Sequence, residues 1–391
     1  MKGRVIVLDT PKDRAFAAAL MVNGRLDDLM LSPRLGDSRP MAGDICVVKV
    51  TRILPKAGAF CEMAQGQGYL RDAKSVKEGE LILAQVQSLP EPGKAVSLTT
   101  RVLYKGPRVI LTPGAPGVNV SKKIGNEAER ARLQAAVEAV LADETLRPGS
   151  PGNVERVGAI IRTEARDAEP EDLHREVAVL IDHRLNALAG LKVHKTLGGG
   201  FGGSPHDAAL CNWLFPVPDA IMMPHDMARA VTKMPRDDPS GAAHVFYGDT
   251  RFIDRVDPEG APFEAMAIWD EIEALKSPTV PLGEGSMVIE STRALVAVDV
   301  NTGSDFSPAA ALKANLATAR ELPRQLRLRG LGGKIVVDFA PLPKSARRAV
   351  EDALKKAFRA DPIETSLVGW TTLGLFELQR KRERWPLKEL V

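Results

Sequence analysis

The sequence predicts a multidomain α/β protein, and three observations support this fold class. The chain has 391 residues, which is too long for one ordinary domain and long enough for two to four domains with cores of their own. Short β-type segments separated by Gly and Pro turns recur from about residue 41 to 104. Residues 284–342 instead read as strand, long helix, strand. A β-rich domain and an α/β domain therefore follow one another along the chain.

Residues 1–40 predict a small β-structure. Apolar runs at 4–9 and 16–22 are followed by Asn23-Gly24 and a third run at 26–31. Asn-Gly between apolar runs is a strong hairpin signal, because both residues tolerate the positive φ angles of a tight turn.

Residues 41–105 predict a barrel. The strands expected there are short and end at Gly or Pro turns: 44–53, 58–63, 68–71, 81–89 and 95–100. Five strands with this spacing fit a closed barrel of the OB type.

Helical and strand patterns alternate over 106–195, with strands at 108–112 and 157–162 and helices at 126–142 and 169–191. Residues 196–244 are rich in Gly, Pro and Met and predict an irregular linker. This linker contains two Pro-His-Asp triplets, at His206 and His225. Their wide separation in irregular sequence favours turns over a metal site.

The segment 245–391 predicts one α/β domain, in which two aspartates end apolar runs. Asp299 ends Ala294-Leu-Val-Ala-Val, and Asp338 ends Gly333-Lys-Ile-Val-Val. A strand, a helix and a second strand predict two parallel strands whose carboxyl ends meet at one sheet edge. Asn301 lies on the same strand face as Asp299, because side chains alternate with period two.

These side chains suit a metal–phosphate site. Mg²⁺ is typically held by one or two protein carboxylates, with water and phosphate in its other positions. Such an ion could polarise a phosphodiester and activate water for in-line attack, with the Asn301 amide holding a phosphate oxygen or the water. For either aspartate alone, a solvated strand end is an equally good interpretation, and the pair favours the metal.

The helix predicted at 308–330 places Leu312, Leu316, Ala319 and Leu326 on a core-facing stripe. Pro323 lies inside this pattern and is expected to kink the helix or split it in two.

Composition narrows the function classes. The net charge is only +3, so positive charge that contacts phosphates has to be local. The three cysteines have no CxxC spacing, so neither a disulfide framework nor a zinc site is expected. No run approaches the 18 apolar residues of a membrane span, and we expect a cytoplasmic protein that does not enter membranes.

The segments around the two aspartates resemble the ribonuclease E/G family: Ser291–Gly303, Ala314-Asn-Leu and Arg324–Phe339. The resemblance runs over nearly the whole chain, including Tyr247–Arg251 and Gly374–Arg382, and is densest at 284–342. It implies that 245–391 is a DNase-I-like catalytic domain in which Asp299 and Asp338 hold Mg²⁺, or Mn²⁺ as a substitute. Asn301 would hydrogen-bond at that site. The OB-type barrel would be inserted in an RNase-H-like and 5′-sensor region made of 1–40 and 106–195.

The resemblance also implies a site for the 5′ end of RNA. Arg162 and Thr163 match a pair that grips a 5′-monophosphate, and a guanidinium fork beside a hydroxyl suits phosphate oxygens. Gly117 and Val118 would lie in the loop beside that pocket, and Lys122 and Lys123 match a neighbouring basic pair. Without the resemblance, a solvated Arg162 at a strand end is the better interpretation.

The barrel would then bind single-stranded RNA. Phe60 and Tyr69 fall where aromatic side chains of the family stack on bases, and Lys94 would reach the RNA backbone. Stacking of this kind contributes roughly 1–3 kcal/mol per base. A core position for Phe60 is an equally good interpretation.

Departures from the family pattern give further expectations. After Asn-Thr-Gly the family continues with an Arg/Lys-rich turn, whereas this chain has Ser304–Pro308 without a cation. Asp305 in that turn could weaken RNA binding or act as another metal ligand. The Cys-Pro-x-Cys zinc link is absent, so a compact member is expected, without zinc, a zinc-linked tetramer or a C-terminal scaffold. A homodimer is left open.

The expected function is a Mg²⁺-dependent endoribonuclease that cuts single-stranded RNA in processing or turnover, leaving 5′-phosphate and 3′-hydroxyl ends. A preference for 5′-monophosphorylated RNA is a further expectation. The main alternative is an RNA-binding protein of the same fold with weak or no nuclease activity. A DNA-directed nuclease or phosphatase is a third hypothesis, which the stacking aromatics of the barrel disfavour.

Overall fold

The computed structural model describes residues 3–91, 93–142, 157–194, 198–201, 204–228, 252–253 and 261–391. They form a mixed α/β protein with two compact units. The first comprises 1–25, 31–87 and 95–265, and the second 26–30, 88–94 and 266–391. Residues 229–251, which include the family-like segment Tyr247–Arg251, lie outside the described residues. No helix in the described ranges is both long and apolar enough to cross a membrane.

The described residues up to 265 form strands and helices with the following bounds. The strands are β1 Arg4–Asp9, β2 Ala17–Val22, β3 Arg25–Leu31, β4 Ile45–Leu54, β5 Gly58–Met63, β6 Gly66–Leu70, β7 Leu81–Ser88, β8 Val96–Thr99, β9 Tyr104–Lys105, β10 Val109–Pro113, β11 Val118–Val120, β12 Val157–Ile161, β13 Gly198–Phe201, β14 Ala220–Met222 and β15 Phe252–Ile253. The helices are α1 Glu127–Ala142, α2 Pro170–His194, α3 Pro205–Trp213 and α4 Pro262–Ala265.

The N-terminal strands belong to a five-stranded sheet of order β15-β14-β1-β2-β3. The predicted hairpin turn is confirmed: Asn23 has φ 52° and Gly24 has φ 78° between β2 and β3. β1 pairs antiparallel with β2 and parallel with β14, and β14 pairs parallel with β15. The sheet thus joins an N-terminal hairpin that ends at Leu31 to two strands that begin only at Ala220 and Phe252.

The predicted five-stranded barrel is confirmed. β4 pairs with β5, β5 with β6 and β6 with β8, and the ring closes through β7 back to β4. The third and fifth barrel strands, β6 and β8, run parallel, whereas the pairs β4–β5, β5–β6 and β4–β7 are antiparallel. This strand order is consistent with an OB-type fold. Buried side chains alternate with exposed ones, as in Gly58–Met63, so the barrel has an inner core and a polar outer face.

A second small sheet, of order β11-β12-β10-β9, follows the barrel. Helices α1 and α2 pack with this sheet, and the buried core between them includes Leu133, Val137, Leu173 and Val177. Asn126 caps α1 by accepting a hydrogen bond from the backbone N–H of Ala128 at 3.0 Å. The helices predicted from the 3.6-residue periodicity are therefore present.

The described part of 196–244 differs from the irregular linker predicted for it. It contains β13, α3 and β14. The first Pro-His-Asp triplet begins α3 instead of forming a turn, because Ser204 caps the helix and Pro205 occupies its first turn. His206 is buried, and its Nε2 lies 2.9 Å from the carbonyl oxygen of Asp9. Burial lowers the pKa of His206.

The second unit contains one six-stranded sheet and its helices. The strands are β16 Thr279–Leu282, β17 Gly285–Ser291, β18 Val296–Asn301, β19 Gly333–Asp338, β20 Thr365–Trp370 and β21 Phe376–Arg380. The helices are α5 Ile268–Ala274, α6 Pro308–Leu328, α7 Lys344–Ala360 and α8 Leu387–Leu390. The sheet order is β16-β17-β18-β19-β21-β20, and the pair β18–β19 is parallel as the strand–helix–strand pattern predicts.

Helices α6 and α7 pack against each other and share one core with one face of this sheet. The predicted stripe on α6 is confirmed, since Ala319 and Leu326 are fully buried and Leu312 and Leu316 pack against the same core. Of the two outcomes expected at Pro323, a kink or a split, the split is wrong. Helix α6 runs through Pro323, which is buried, so packing holds the helix together despite the missing backbone donor.

Candidate functional site

Asp299 and Asp338 are direct neighbours on adjacent parallel strands. Asp299 of β18 is the register partner of Asp338 of β19. Both side chains are exposed, whereas Val298 and Val337, the preceding residues, are buried in the core. Alternation along the two strands therefore places both carboxylates side by side on the face opposite α6 and α7.

Asn301 lies two residues beyond Asp299 on the same exposed face. Its Nδ2 donates a hydrogen bond to Oδ2 of Asp299 at 2.8 Å. The Asn301 amide thus holds the Asp299 carboxylate in place. Asn301 is itself exposed and is the last residue of β18. The three residues that the sequence singles out are thus brought to one sheet edge.

The loop after β18 is held by hydrogen bonds on both sides of Phe306. Oδ1 of Asp305 accepts from the backbone N–H of Ser307 at 2.8 Å, and the Ser307 hydroxyl accepts from the N–H of Ala310 at 3.2 Å. The bond to Ser307 lowers the pKa of Asp305. Gly303 is required at the start of this loop, since it has φ 77° and a Cβ there would lie 2.5 Å from the carbonyl oxygen of Glu284. Asp305 is therefore a turn-forming residue in this structure.

Two cationic side chains lie at the same edge, although the loop itself contains none. Lys313 of α6 pairs with Glu284 in the β16–β17 turn at 3.3 Å, and both side chains are mostly exposed. Arg347 of α7 stacks over the ring of Trp370, 4.5 Å from its centroid, near Gly374 in the β20–β21 turn. The sequence of the loop after β18 does not reveal these cations, because Lys313 and Arg347 belong to the helices α6 and α7.

Arg162 and Thr163 follow β12, and the side chains of both make hydrogen bonds. Nη1 of Arg162 donates to the carbonyl oxygens of Gly106 and Cys211, each at 2.9 Å, and Nε lies 3.5 Å from Glu164. The guanidinium is thus oriented by the backbone, with a quarter of the side chain exposed.

The other residues predicted for a 5′-end site lie on the neighbouring strand. β11 pairs parallel with β12, with Val118 opposite Ala159, and Gly117 precedes it with φ 105°. At the carboxyl ends of these strands the hydroxyls of Ser121 and Thr163 lie 2.9 Å apart. Exposed Lys122 and Lys123 follow Ser121 directly. The structure therefore brings hydroxyls and cations together at the ends of two strands.

Phe60 and Tyr69 form an aromatic pair on the outer face of the barrel. They are register partners on β5 and β6, with ring centroids 5.4 Å apart. Both are half-buried, whereas Ala59, Cys61 and Leu70 beside them are buried in the barrel core. The core interpretation of Phe60 is wrong, because its side chain is on the outer face.

Register extends this aromatic pair to a row across four strands. Arg52 of β4 is opposite Phe60, and Ser97 of β8 is opposite Tyr69. Sequence reasoning missed Arg52. The register from the turn, with Leu54 opposite Gly58, places Arg52 opposite Phe60, and it shifts only further along, between Arg52 and Val50.

Lys94 lies in the loop between β7 and β8. Its segment, 88–94, belongs to the second unit, and its Nζ pairs with Glu91 at 2.5 Å. The bond lowers the pKa of Glu91, but Lys94 remains largely exposed.

The fold and site define an α/β protein that combines an OB-type barrel with a sheet carrying paired, exposed carboxylates. The model of the Ribonuclease E/G family matches residues 104–193 and 243–383, which is more than half of the chain. The chain belongs to this family. The second matched stretch contains Asp299, Asn301 and Asp338, and the first contains Arg162 and Thr163.

Curated relatives agree with this assignment. The chain is 28% identical to Ribonuclease G of Salmonella typhimurium (strain SL1344), over 87% of this chain and 67% of that protein. It is 27% identical to Ribonuclease G of Escherichia coli (strain K12), with the same coverage. It is 31% identical to Ribonuclease E of a Nostoc species (strain PCC 7120), over 79% of this chain and 44% of that protein.

Proposed function

We propose that this chain is an endoribonuclease that hydrolyses single-stranded RNA at the edge formed by Asp299 and Asp338. The observation that carries the proposal is the register pairing of these two residues on adjacent parallel strands, with both side chains exposed. Carboxylates placed side by side without a cation between them repel each other, so this arrangement is best explained by a bound positive charge. Family membership and relatives named ribonuclease support RNA as the substrate.

The donor set fits Mg²⁺. Asp299, Asp338 and the side-chain carbonyl of Asn301 offer oxygen atoms only. Two carboxylates are the number that Mg²⁺ commonly takes from a protein, whereas an all-protein cage is typical of Ca²⁺ or Zn²⁺. When bound, the ion would supply the positive charge that polarises the scissile phosphodiester.

The chain's own residues would position the reactants. Asn301 holds the Asp299 carboxylate in one orientation through its 2.8 Å hydrogen bond. The row Arg52, Phe60, Tyr69 and Ser97 would hold single-stranded RNA by stacking and by charge. Attack by water on the phosphorus with departure of the 3′ oxygen would leave a 3′-hydroxyl and a 5′-phosphate.

We also propose a preference for RNA with a 5′-monophosphate. Nη1 of Arg162 is fixed by two carbonyls and Nε lies 3.5 Å from Glu164, so the guanidinium is pre-oriented, and Nη2 would donate to the terminal phosphate. The hydroxyls of Thr163 and Ser121 and the exposed Lys122 and Lys123 add donors beside it. A fork of donors with nearby cations is the chemistry that binds a terminal phosphate.

The test compares wild type with Asp299→Asn and Asp338→Asn on a 5′-labelled single-stranded oligoribonucleotide, in Mg²⁺ and in EDTA. Cleavage should require Mg²⁺ and should vanish in both variants, while binding of RNA is largely retained. Asp352→Asn is the matched control, because this carboxylate is exposed on α7 in the helical layer. Cleavage that persists in both variants would refute the proposed site.

The alternative is an RNA-binding protein of this family with little nuclease activity. One observation favours it: the loop after β18 contains Asp305 and no cation, which adds negative charge beside the acid pair. The same assay separates the two hypotheses. If wild type binds RNA and never cleaves it over a range of Mg²⁺ concentrations, the alternative is correct.

A further inference from the structure

The carboxyl edge of the second-unit sheet carries unusually exposed apolar side chains. Seven large hydrophobic residues are exposed among the described residues, and the two most exposed are Phe306 at 86% and Leu373 at 87%. A single exposed apolar residue is ordinary on a protein surface. These two, however, lie at the same sheet edge as the acid pair.

Strand directions place the two side chains at that edge. Phe306 lies in the loop that leaves the carboxyl end of β18, five residues after Asn301. Leu373 lies in the turn between β20 and β21. β21 runs antiparallel to β19, with Phe376 opposite Val337, so this turn lies at the end of β19 that carries Asp338. Both apolar side chains therefore lie at this end of the sheet, Phe306 in the loop after the strand of Asp299 and Leu373 in the turn before β21, which neighbours the strand of Asp338.

Phe306 is presented by an ordered loop. The residues on both sides of it, Asp305 and Ser307, are fixed by hydrogen bonds to the backbone at 2.8 and 3.2 Å. Ordering a loop costs conformational entropy, and burial of Phe306 contributes nothing to offset it here. An aromatic ring held in water beside a catalytic edge is therefore poised to contact a bound ligand.

We propose that Phe306 stacks on an unpaired nucleobase next to the phosphate that is cut, and that Leu373 packs against a base on the other side of that phosphate. The inference rests on the proposed function, because it takes single-stranded RNA as the ligand of this edge. Stacking tolerates every base, since each base has a π face. Stacking also needs no ion pair, so Phe306 can bind a base although the loop has no cation and contains Asp305. Arg347, beside the β20–β21 turn, supplies positive charge for the RNA backbone.

The experiment measures RNA binding and RNA cleavage separately, so that the stacking proposal and the proposed function can fail independently. Binding is measured by fluorescence anisotropy of a single-stranded oligoribonucleotide on the Asp299→Asn/Asp338→Asn double variant, which should not cut it. Added to that background, Phe306→Ala should weaken binding about 5- to 100-fold, as expected for one lost stacking contact. Phe306→Trp should bind at least as tightly as the parent, and Leu373→Ala should show a smaller loss, because leucine has no π face.

A scan with single abasic nucleotides identifies the contacted base. In the parent, loss of one particular base should weaken binding. In Phe306→Ala the same loss should cost nothing more, because the two changes remove the same contact. Leu35→Ala is the matched control, since Leu35 is an exposed apolar residue of the first unit, 65% exposed.

Several outcomes would overturn the proposal. Phe306→Ala could bind like its parent, or could lose affinity equally for every abasic position. A dependence of the sedimentation mass on Phe306 would instead assign the ring to a contact between copies of this chain. If wild type binds RNA with the predicted base contact but cuts nothing, the proposed function fails while the stacking contact stands.

Discussion

The side-chain amide of Asn301 donates a 2.8 Å hydrogen bond to Asp299, whose register partner across the strand pair is Asp338. The amide therefore orients one carboxylate of the pair. Asp299 and Asp338 are directly opposite each other on adjacent strands. Groups that orient a metal ligand commonly matter nearly as much as the ligand itself.

Asn301→Ala should lower RNA cleavage about 10- to 100-fold without unfolding the protein, as is typical when a ligand-orienting group is lost. The Mg²⁺ concentration needed for half-maximal rate should rise, because Asp299 is no longer held. Initial rates over a Mg²⁺ titration test this. Thr279→Ala is the control, since Thr279 is exposed on the edge strand β16 of the same sheet. An unchanged rate and Mg²⁺ requirement in Asn301→Ala would contradict the assigned role.

A buried ion pair at the end of the sheet opposite to Asp338, where Arg380 is the register partner of Gly333, gives a prediction about stability. Asp361 follows α7 and is fully buried, as is Arg380 of β21, and the two are 2.9 Å apart. Arg327 of α6 also donates to Asp361. Asp361→Ala leaves the Arg380 charge buried without a carboxylate partner, next to the Thr365 hydroxyl at 2.8 Å and the Phe358 ring. Breaking a buried pair in this way typically costs about 3–5 kcal/mol.

Urea unfolding of Asp361→Ala should show this loss as a large decrease in the midpoint. The comparison is Asp352→Ala, whose exposed carboxylate lies 3.9 Å from Arg348 and should contribute less than about 0.5 kcal/mol. Equal midpoints for the two variants would show that the buried pair is not required for the stability of the fold.

Local patterns predicted much of this fold from sequence. The barrel strand at 58–63 was predicted with the bounds that the structure shows, because alternating apolar residues between two turn signals define a strand locally. The acid pair was also predicted, since the strand–helix–strand order fixes parallel neighbours and period two fixes the face. Both inferences need only short-range information and general topology rules.

The features that were missed depend on residues far apart in sequence. The carbonyl of Cys211 that holds Arg162 comes from α3, whose start at Ser204-Pro205 was hidden in a Gly- and Pro-rich stretch. The continuity of α6 through Pro323 is decided by packing, which overrides local propensity.

Glu176 gives the first unit a pH-dependent stability. It is fully buried on α2, where its Oε1 accepts from the backbone N–H groups of Arg108 and Val109 at 2.8 Å. Burial raises the pKa of Glu176 from 4.5 to about 7, although these bonds and the charges of Arg108 and Arg162 act in the opposite direction. The folded chain therefore keeps this proton between about pH 4.5 and 7, where the unfolded chain has lost it.

The sign of the effect follows from this difference. The contribution of Glu176 is complete below about pH 4.5 and is lost as pH rises through 7, a change of about 3 kcal/mol at 1.4 kcal/mol per pKa unit. Glu176→Gln cannot ionise, so its melting temperature should match wild type at pH 5 and exceed it at pH 8. Glu138→Gln, an exposed change on α1, should show no such divergence. A difference that does not vary with pH would contradict the assignment.

The proposed 5′-end preference is best tested at Thr163, because Arg162 also holds the backbone and its replacement would disturb the fold. Thr163→Val removes the hydroxyl that lies 2.9 Å from Ser121, with little change in shape. The ratio of kcat/KM for 5′-monophosphorylated over 5′-hydroxyl RNA should fall about tenfold, as expected for one hydrogen bond to a charged group. Thr163→Ser should keep the ratio. Equal loss on both RNAs would show that Thr163 does not contact the terminal phosphate.

Variants of the outer row of the barrel distinguish the contribution of stacking to RNA binding from the contribution of charge. Phe60→Leu and Tyr69→Leu should each weaken binding of a short single-stranded RNA about 5- to 100-fold, because each removes one π face. Tyr69→Phe should bind almost like wild type, since it loses the bond from the hydroxyl to the Ala57 carbonyl but keeps the ring.

Arg52 should act differently from the two aromatic residues. If its guanidinium neutralises one phosphate, Arg52→Gln should reduce the slope of log Kd against log salt by about 0.7, the value for one contact to a single strand. The leucine variants should leave that slope unchanged, because stacking releases no counterions. Titrations by fluorescence anisotropy at four or more salt concentrations measure both quantities. An Arg52→Gln variant with the wild-type slope would place the RNA backbone away from β4, and the row of register partners would then bind bases alone.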